Sequence, residues 1–124
     1  MAIHPRYADA ILDGTKQVEF RKRRVAPDIT KVLIYATSPI QKVVGSFTIS
    51  DIVVDAPDLI WDEFGEFGVI ERAAFAEYYA TSDAAVAIRV EGTERFERPL
   101  ALSELEPSPS IPQSFSYLPT SVLA

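Results

Sequence analysis

The stretch HPRYADAILDGTKQVEFR, residues 4–21, contains a helix signal, a helix stop and a strand signal in direct succession. Pro5 is suited to the first turn of a helix because its φ angle is already helical. Apolar residues then recur at helical spacing as far as Leu12. Gly14 can end the helix in the left-handed conformation, and the alternation that begins at Val18 indicates a half-buried strand. These residues therefore predict a short helix, a glycine stop and a strand.

The rest of the chain predicts four more strands and two more helices. The strands are predicted at residues 31–37, 42–54, 84–90 and 94–102, and the helices at 57–64 and 70–80. The last helix should turn Ile70, Ala74, Phe75, Tyr78 and Tyr79 inward, although either tyrosine could also stack on a base. Strands and helices do not alternate regularly. This pattern predicts an α+β fold, a small mixed β-barrel of about five strands with two or three peripheral helices, in a single domain spanning 1–124.

The amino-acid composition of the chain argues against several classes of function. The chain has 124 residues, no cysteine and one histidine, His4. Disulfide and thiolate chemistry are therefore excluded, and the residue types argue against a zinc site, so we expect no metal and no cofactor. No apolar run approaches the ~18 residues that a membrane span requires, and no secretory signal is recognisable. We therefore expect a cytoplasmic protein that does not bind membranes.

Charge is distributed unevenly along the chain. The net charge is −6, yet residues 1–24 hold six of the twelve basic residues against three acidic ones. Proteins that coat duplex nucleic acid are usually basic overall. A local basic cleft on an acidic body instead favours a small, defined anionic ligand. The run RKRR at residues 21–24 is also compatible with a localisation patch, and the acidic remainder is compatible with a protein partner.

Three charged residues in the opening stretch could form one site. Glu19 and Arg21 are two positions apart on a predicted strand, so they face the same side, and Lys16 precedes them in the turn. A cation near Glu19 would keep that carboxylate ionised, while Arg21 offers a planar fork of donors to phosphate. Glu19 could accept a proton or a base amino group. The alternative is a solvated strand face whose ion pairs contribute ~0.2–1 kcal/mol each.

Residues 14–21, GTKQVEFR, fit the pattern G-x-K-x-x-E-x-R. This pattern resembles the signature of the ASCH family, the activating-signal-cointegrator homology domains, which are related to PUA domains. The preceding helix, the strands KVLIYATSP and VVGSF, and the closing PQSFSYL agree with the resemblance, which covers most of the chain. It implies a PUA-like β-barrel with a charged cleft that contacts RNA or a nucleotide, in transcription or RNA regulation.

The resemblance implies that the motif residues Lys16, Glu19 and Arg21 contact the ligand. Arg23 of the same basic run is a further candidate. If the tail folds over the cleft, the amide, hydroxyl and phenol of Gln113, Ser114 and Tyr117 could recognise a base edge. The alternative is that Phe115 and Tyr117 only anchor the tail on the body of the domain. RNA or a nucleotide-like molecule is the expected partner, and DNA remains open, as does the oligomeric state.

A hydrolase is the alternative that the resemblance leaves open. Some family members act on an acylated cytidine amide, and others have been assigned ribonuclease activity. Lys16 would then be the activating group, with its pKa lowered by Arg21 and neighbouring groups, and Glu19 would shuttle the proton. Glu19 stands where the amidohydrolase kind has threonine, although Thr15 is adjacent to Lys16. Candidates for a further catalytic carboxylate are Glu71 and Glu77.

Overall fold

The computed structural model describes residues 1–26 and 28–104, which form one five-stranded sheet with three α-helices. The strands are β1 (Ala2–Ile3), β2 (Val18–Arg21), β3 (Lys31–Ala36), β4 (Lys42–Asp55) and β5 (Ala85–Leu100). The helices are α1 (Pro5–Leu12), α2 (Pro57–Phe64) and α3 (Arg72–Tyr78), and single 3-10 turns lie at Gly65–Phe67 and Leu102–Glu104. The predicted α+β class with five strands is confirmed.

The hydrogen-bonded order of the sheet is β1-β3-β4-β5-β2, so β1 and β2 are its outer strands. β1 runs parallel to β3, and every other pair is antiparallel. The pairing of β4 with both neighbours is interrupted by register shifts, which bend a strand and increase its twist. The sheet is barrel-like but remains open between β1 and β2. We call this opening the seam.

Two of the predicted strands are in fact one. Residues 84–90 and 94–102 were expected as separate strands, but β5 runs without a break from Ala85 to Leu100. Gly92 has a φ of +53°, a conformation that glycine adopts easily, so the chain can bend there and continue pairing. The count of five is restored by β1, which is only two residues long and too short to carry a periodic signal.

The opening stretch folds as its sequence predicts. The His4 imidazole accepts a hydrogen bond from the backbone N–H of Arg6 at 3.3 Å, which caps the start of α1. Gly14 has a φ of +90°, as expected for a residue that ends a helix in the left-handed region. The backbone N–H of Lys16 then donates to the carbonyl of Ala10 at 2.9 Å. This bond returns the chain towards α1 and sets the position of Lys16.

Both faces of β5 are covered at its start, over residues 85–88. Val86 and Ile88 belong to the larger buried cluster, which packs α1 against β3, β4 and β5. Ala85 and Ala87 belong to a second cluster, which packs β2 and β5 against α2 and α3. Successive side chains of a strand point to opposite faces, so a strand buried on both faces shows an uninterrupted apolar run. The predicted central position of residues 84–90 is therefore confirmed.

Helix α3 is shorter than predicted, and part of its expected inner stripe is wrong. Phe75 and Tyr79 are buried, but Ala74 is exposed and Tyr78 is 38% exposed. The helix has seven residues, so only one narrow face reaches the sheet. Tyr78 lies beside that face instead. No helix among residues 1–26 and 28–104 is long and apolar enough to cross a membrane.

Candidate functional site

A cavity of about 160 Å³ opens at the seam between β1 and β2. We call it the seam pocket. Its lining residues are Ala2, Ile3, His4, Tyr7, Lys16, Glu19, Phe20, Arg21, Ile70 and Tyr78. They come from both outer strands, from α1 and from the region of α3. The pocket therefore exists because the sheet does not close with a backbone ladder at this point.

Lys16, Glu19 and Arg21 converge in the seam pocket. Nζ of Lys16 lies 3.5 Å from Oε1 of Glu19, and Nη1 of Arg21 lies 3.5 Å from Oε2 of the same carboxylate. Lys16 is 3% exposed, Glu19 is 6% exposed, and the Arg21 side chain is 13% exposed. The interpretation of this stretch as a solvated charged strand face is therefore wrong, because Lys16 and Glu19 are buried and Arg21 is mostly shielded from water.

The surroundings of Lys16 explain its protonation behaviour. Its ammonium donates a hydrogen bond to the carbonyl of Gly68 and lies 5.0 Å from the ring centroid of Tyr7 and 5.5 Å from that of Phe20. Burial lowers the pKa of Lys16, and the charge of Glu19 opposes that shift. The lowered pKa of Lys16 that was expected from the sequence therefore has the right direction. Its stated cause, Arg21, is wrong, since burial is the largest influence.

Arg21 joins the two outer strands of the sheet. Its Nη1 donates to the carbonyl of Ala2 in β1 at 3.3 Å. The carbonyl of Arg21 accepts a hydrogen bond from the hydroxyl of Tyr79 at 2.7 Å. Tyr79 is 3% exposed, and burial raises the pKa of its phenol. Tyr79 is therefore a core residue that ties β2 to the end of α3.

Two exposed cations cover aromatic rings of the pocket lining. Cζ of Arg6 lies 5.3 Å from the ring centroid of Tyr7, and Nζ of Lys22 lies 4.8 Å from that of Tyr78. Burial raises the pKa of the Tyr78 phenol, although its ring remains partly exposed. Sequence reasoning did not assign Arg6, Tyr7 or Lys22 to the site. The adjacency of Arg6 and Tyr7 is a usable signal, whereas Lys22 and Tyr78 meet only through the tertiary fold.

Other predicted residues lie elsewhere. Arg23 is exposed and does not line the seam pocket, and neither do the exposed carboxylates of Glu71 and Glu77. The hydroxyl of Thr15 donates to Oδ1 of Asp13 at 2.6 Å, at the end of α1. Three further candidates lie outside the described residues, namely Gln113, Ser114 and Tyr117. Within residues 1–26 and 28–104 no three His, Cys, Asp or Glu side chains are grouped as a metal site.

The seam pocket is not the largest cavity, but its chemistry sets it apart. A cavity of about 370 Å³ includes Glu63 and Arg89, and one of about 310 Å³ includes Asp58 and Arg72. These four charged residues are exposed. Buried charged side chains in the described part of the chain are Lys16 and Glu19, and both are in the seam pocket. A buried ion costs several kcal/mol unless it is paired, so such a group is rarely retained by chance.

Fold and site together define a small α+β domain with an open, charged seam. The ASCH domain pattern matches residues 1–94. This is more than half of the chain, and the chain belongs to the ASCH domain family. The motif residues Lys16, Glu19 and Arg21 lie within the matched region.

Solved structures of this family agree with the fold. The ASCH protein from Zymomonas mobilis is 27% identical and superposes with a TM-score of 0.89, covering 99% of this chain and 88% of that one. A serine-to-alanine mutant of the same protein is 26% identical, with a TM-score of 0.89, and covers 99% of this chain and 89% of that one.

Sequence relatives include both similar and longer proteins. An ASCH domain-containing ribonuclease from Zymomonas mobilis is 28% identical over 122 residues, which cover 95% of this chain and 82% of that protein. The large ribosomal subunit protein uL22 of Ureaplasma parvum is 31% identical over 115 residues, 92% of this chain. The chain spans only 37% of that ribosomal protein.

Proposed function

We propose that this domain binds RNA and that one nucleotide unit enters the seam pocket. The observation that carries the proposal is the carboxylate of Glu19 shared between the buried cation of Lys16 and the partly buried cation of Arg21. The similarity to an ASCH domain-containing ribonuclease supports RNA as the ligand class. A role in transcription or RNA regulation, in the cytoplasm, is the broader function that this ligand suggests.

The charge of the seam pocket favours an anionic ligand. With Lys16 and Arg21 protonated and Glu19 ionised, the three side chains carry one excess positive charge. Uncompensated charge in a partly apolar site is costly, and a ligand phosphate would offset it. Arg21 is suited to that contact because a guanidinium can present two parallel donors to phosphate oxygens. Glu19 can orient both cations or accept from a base amino group.

A binding titration tests the proposal. Short single-stranded RNA and DNA oligomers are titrated by fluorescence anisotropy over a series of salt concentrations. Arg21→Gln should weaken RNA binding about tenfold or more, the equivalent of ~1.4 kcal/mol for one charge-assisted contact. The RNA affinity of Arg21→Lys should lie between those of wild type and Arg21→Gln, since lysine keeps the charge but lacks the planar guanidinium.

The matched control is Arg98→Gln. The side chain of Arg98 is 80% exposed and forms an ion pair with Glu104. Arg98 does not line the seam pocket. Its loss should leave RNA affinity almost unchanged. Circular dichroism melting checks that each variant is folded. Absence of binding at low salt, or equal affinity in wild type and folded Arg21→Gln, contradicts the proposal.

Ribonuclease activity is the second candidate, favoured by the burial of Lys16 and by the ribonuclease relative. Burial lowers the pKa of Lys16, which favours its neutral amine, and this amine would take the proton of an attacking ribose 2′-hydroxyl. The 2′-oxygen would then bond to phosphorus while the P–O5′ bond breaks, and the leaving 5′-oxygen would take a proton back from the Lys16 ammonium. Arg21 would stabilise the negative charge that develops on the phosphate. RNA cleavage should then vanish in Lys16→Met and with a 2′-deoxy substrate. Equal cleavage by wild type and Lys16→Met would indicate a contaminating nuclease.

A further inference from the structure

We infer that the ligand is a single-stranded oligonucleotide whose flanking bases stack on Tyr7 and Tyr78 while Arg6 and Lys22 contact its phosphates. This inference rests on the proposed RNA-binding function and extends the binding site beyond the seam pocket. The four residues form two aromatic–cation pairs, one at the start of α1 and one between β2 and α3. We call them the rim pairs.

The size of the seam pocket requires contacts outside it. Sites that enclose a whole small molecule usually measure about 300–1,000 Å³. The seam pocket measures about 160 Å³, so it takes one ring or one phosphate group and leaves the remainder of the ligand outside. Tyr7 and Tyr78 line the pocket, and the cations that cover their rings are exposed. The rest of the ligand therefore meets the rim pairs first.

The rim pairs can exchange their partners. An exposed cation–π contact is worth roughly a two- to fivefold factor in an equilibrium constant, whereas a base stacked on an aromatic ring is worth roughly five- to a hundredfold. A base can therefore displace Lys22 from the ring of Tyr78 at a net gain. The displaced ammonium remains tethered beside the base and is free to contact the adjoining phosphate. The same exchange applies to Arg6 on Tyr7.

Tyr78 is held in place for such a role. Its ring packs against that of Tyr79 with centroids 4.7 Å apart in an edge-to-face arrangement. Tyr79 is itself fixed by its hydrogen bond to Arg21. A ring that is rigid but 38% exposed costs little entropy when a base stacks on it. A duplex cannot use this surface, because its bases are already stacked and paired.

The test compares ligand length with rim variants. Uridylate oligomers of roughly one, three and six nucleotides are titrated against wild type and Tyr78→Ala by isothermal titration calorimetry. For wild type, affinity should rise at least about tenfold from the mononucleotide to the trinucleotide. Tyr78→Ala should lose about tenfold more affinity for the trinucleotide than for the mononucleotide. Lys22→Gln should reduce the salt dependence of trinucleotide binding by about one phosphate contact.

Phe67→Ala and Lys42→Gln are the matched controls. Phe67 is 39% exposed, nearly the same as Tyr78, but lines a different cavity. Lys42 is an exposed lysine on β4 outside the seam pocket. Both controls should keep wild-type affinity, and equal losses in Tyr78→Ala and Phe67→Ala overturn the inference.

The failure of the inference is distinguishable from failure of the proposed function. If wild type binds the mononucleotide and the trinucleotide equally, or a duplex as tightly as a single strand, the rim pairs are not a binding surface. If Tyr78→Ala binds the trinucleotide like wild type while Arg21→Gln does not, RNA binding in the seam pocket is supported and base stacking on the rim pairs is contradicted. If wild type binds no oligomer at low salt, the RNA-binding function itself is wrong.

Discussion

The guanidinium of Arg21 in β2 donates a hydrogen bond to the backbone carbonyl of Ala2 in β1, at 3.3 Å. These two strands are the outer strands of the sheet, separated by three others in its hydrogen-bonded order. A side chain therefore bridges the edges where a closed barrel would have a backbone ladder. Side chains leave gaps that a ladder does not, and the seam pocket is such a gap. The site and the incomplete closure of the barrel have one structural cause.

Removal of the shared carboxylate should be costly. Glu19→Gln leaves the buried Lys16 and the partly buried Arg21 without their counter-ion, and breaking a buried pair typically costs about 3–5 kcal/mol. We expect a loss in that range by urea unfolding. The exposed pair between Arg95 and Asp9, at 3.0 Å, provides the control, and Asp9→Asn should cost less than ~1 kcal/mol. Similar losses for the two variants would contradict burial of the ion cluster.

Lys16 should make stability depend on pH in the alkaline range. Burial lowers its folded-state pKa below the ordinary value of 10.5, so the unfolded chain holds this proton more tightly. Between the lowered pKa and 10.5 the unfolded state binds more protons, and the free energy of unfolding therefore rises with pH. From about pH 7 to about pH 10, wild type should gain more stability than Lys16→Met does.

The difference between the two proteins isolates Lys16. Tyr78 and Tyr79 have raised pKa values, which oppose the trend above pH 10, but both tyrosines are present in each protein. Urea midpoints at several pH values give the two curves. Curves that run parallel across the interval would mean that Lys16 is as well hydrated in the folded protein as in the unfolded chain.

Gly68 should be needed to hold Lys16. A Cβ at Gly68 would overlap Cε2 of Phe20, and the carbonyl of Gly68 accepts the Lys16 hydrogen bond. Gly68→Ala must displace the Phe20 ring or the turn, at a cost of about 1–3 kcal/mol. It should also weaken RNA binding. Gly92→Ala provides the control, since its positive φ costs about 1–2 kcal/mol outside the site. Thermal unfolding measures the stability of both variants, and fluorescence anisotropy measures their RNA affinity. Both variants should lose stability, but only Gly68→Ala should lose RNA affinity.

The charged part of the site could be predicted from sequence because its members are close along the chain. Glu19 and Arg21 share a face through the two-residue period of a strand, and Lys16 follows a glycine stop. Their burial could not be predicted, because it depends on the carbonyl of Gly68 and the ring of Tyr7, which the fold supplies. The same stretch read locally is equally compatible with a solvated strand face.

The fold was predictable where each element has its own local signal. Helix α1 has a proline start and a glycine stop, and β5 has an apolar run that reflects burial on both faces. The pairing of Lys22 with Tyr78 had no local signal, because it joins the residue after β2 to the last residue of α3. The continuity of β5 through Gly92 was likewise hidden, since a glycine in a strand can mark either a break or a bend.

Nuclear magnetic resonance with a short single-stranded RNA tests the seam pocket most directly. Uniformly labelled protein is titrated while the Lys16 ammonium, the Arg21 guanidinium and the backbone amides of residues 1–26 and 28–104 are followed. We predict saturable shifts confined to β1, α1, β2 and the surroundings of Tyr78, with the Arg21 side chain among the largest. Shifts that leave Lys16, Glu19 and Arg21 unchanged while other surfaces respond would contradict the account.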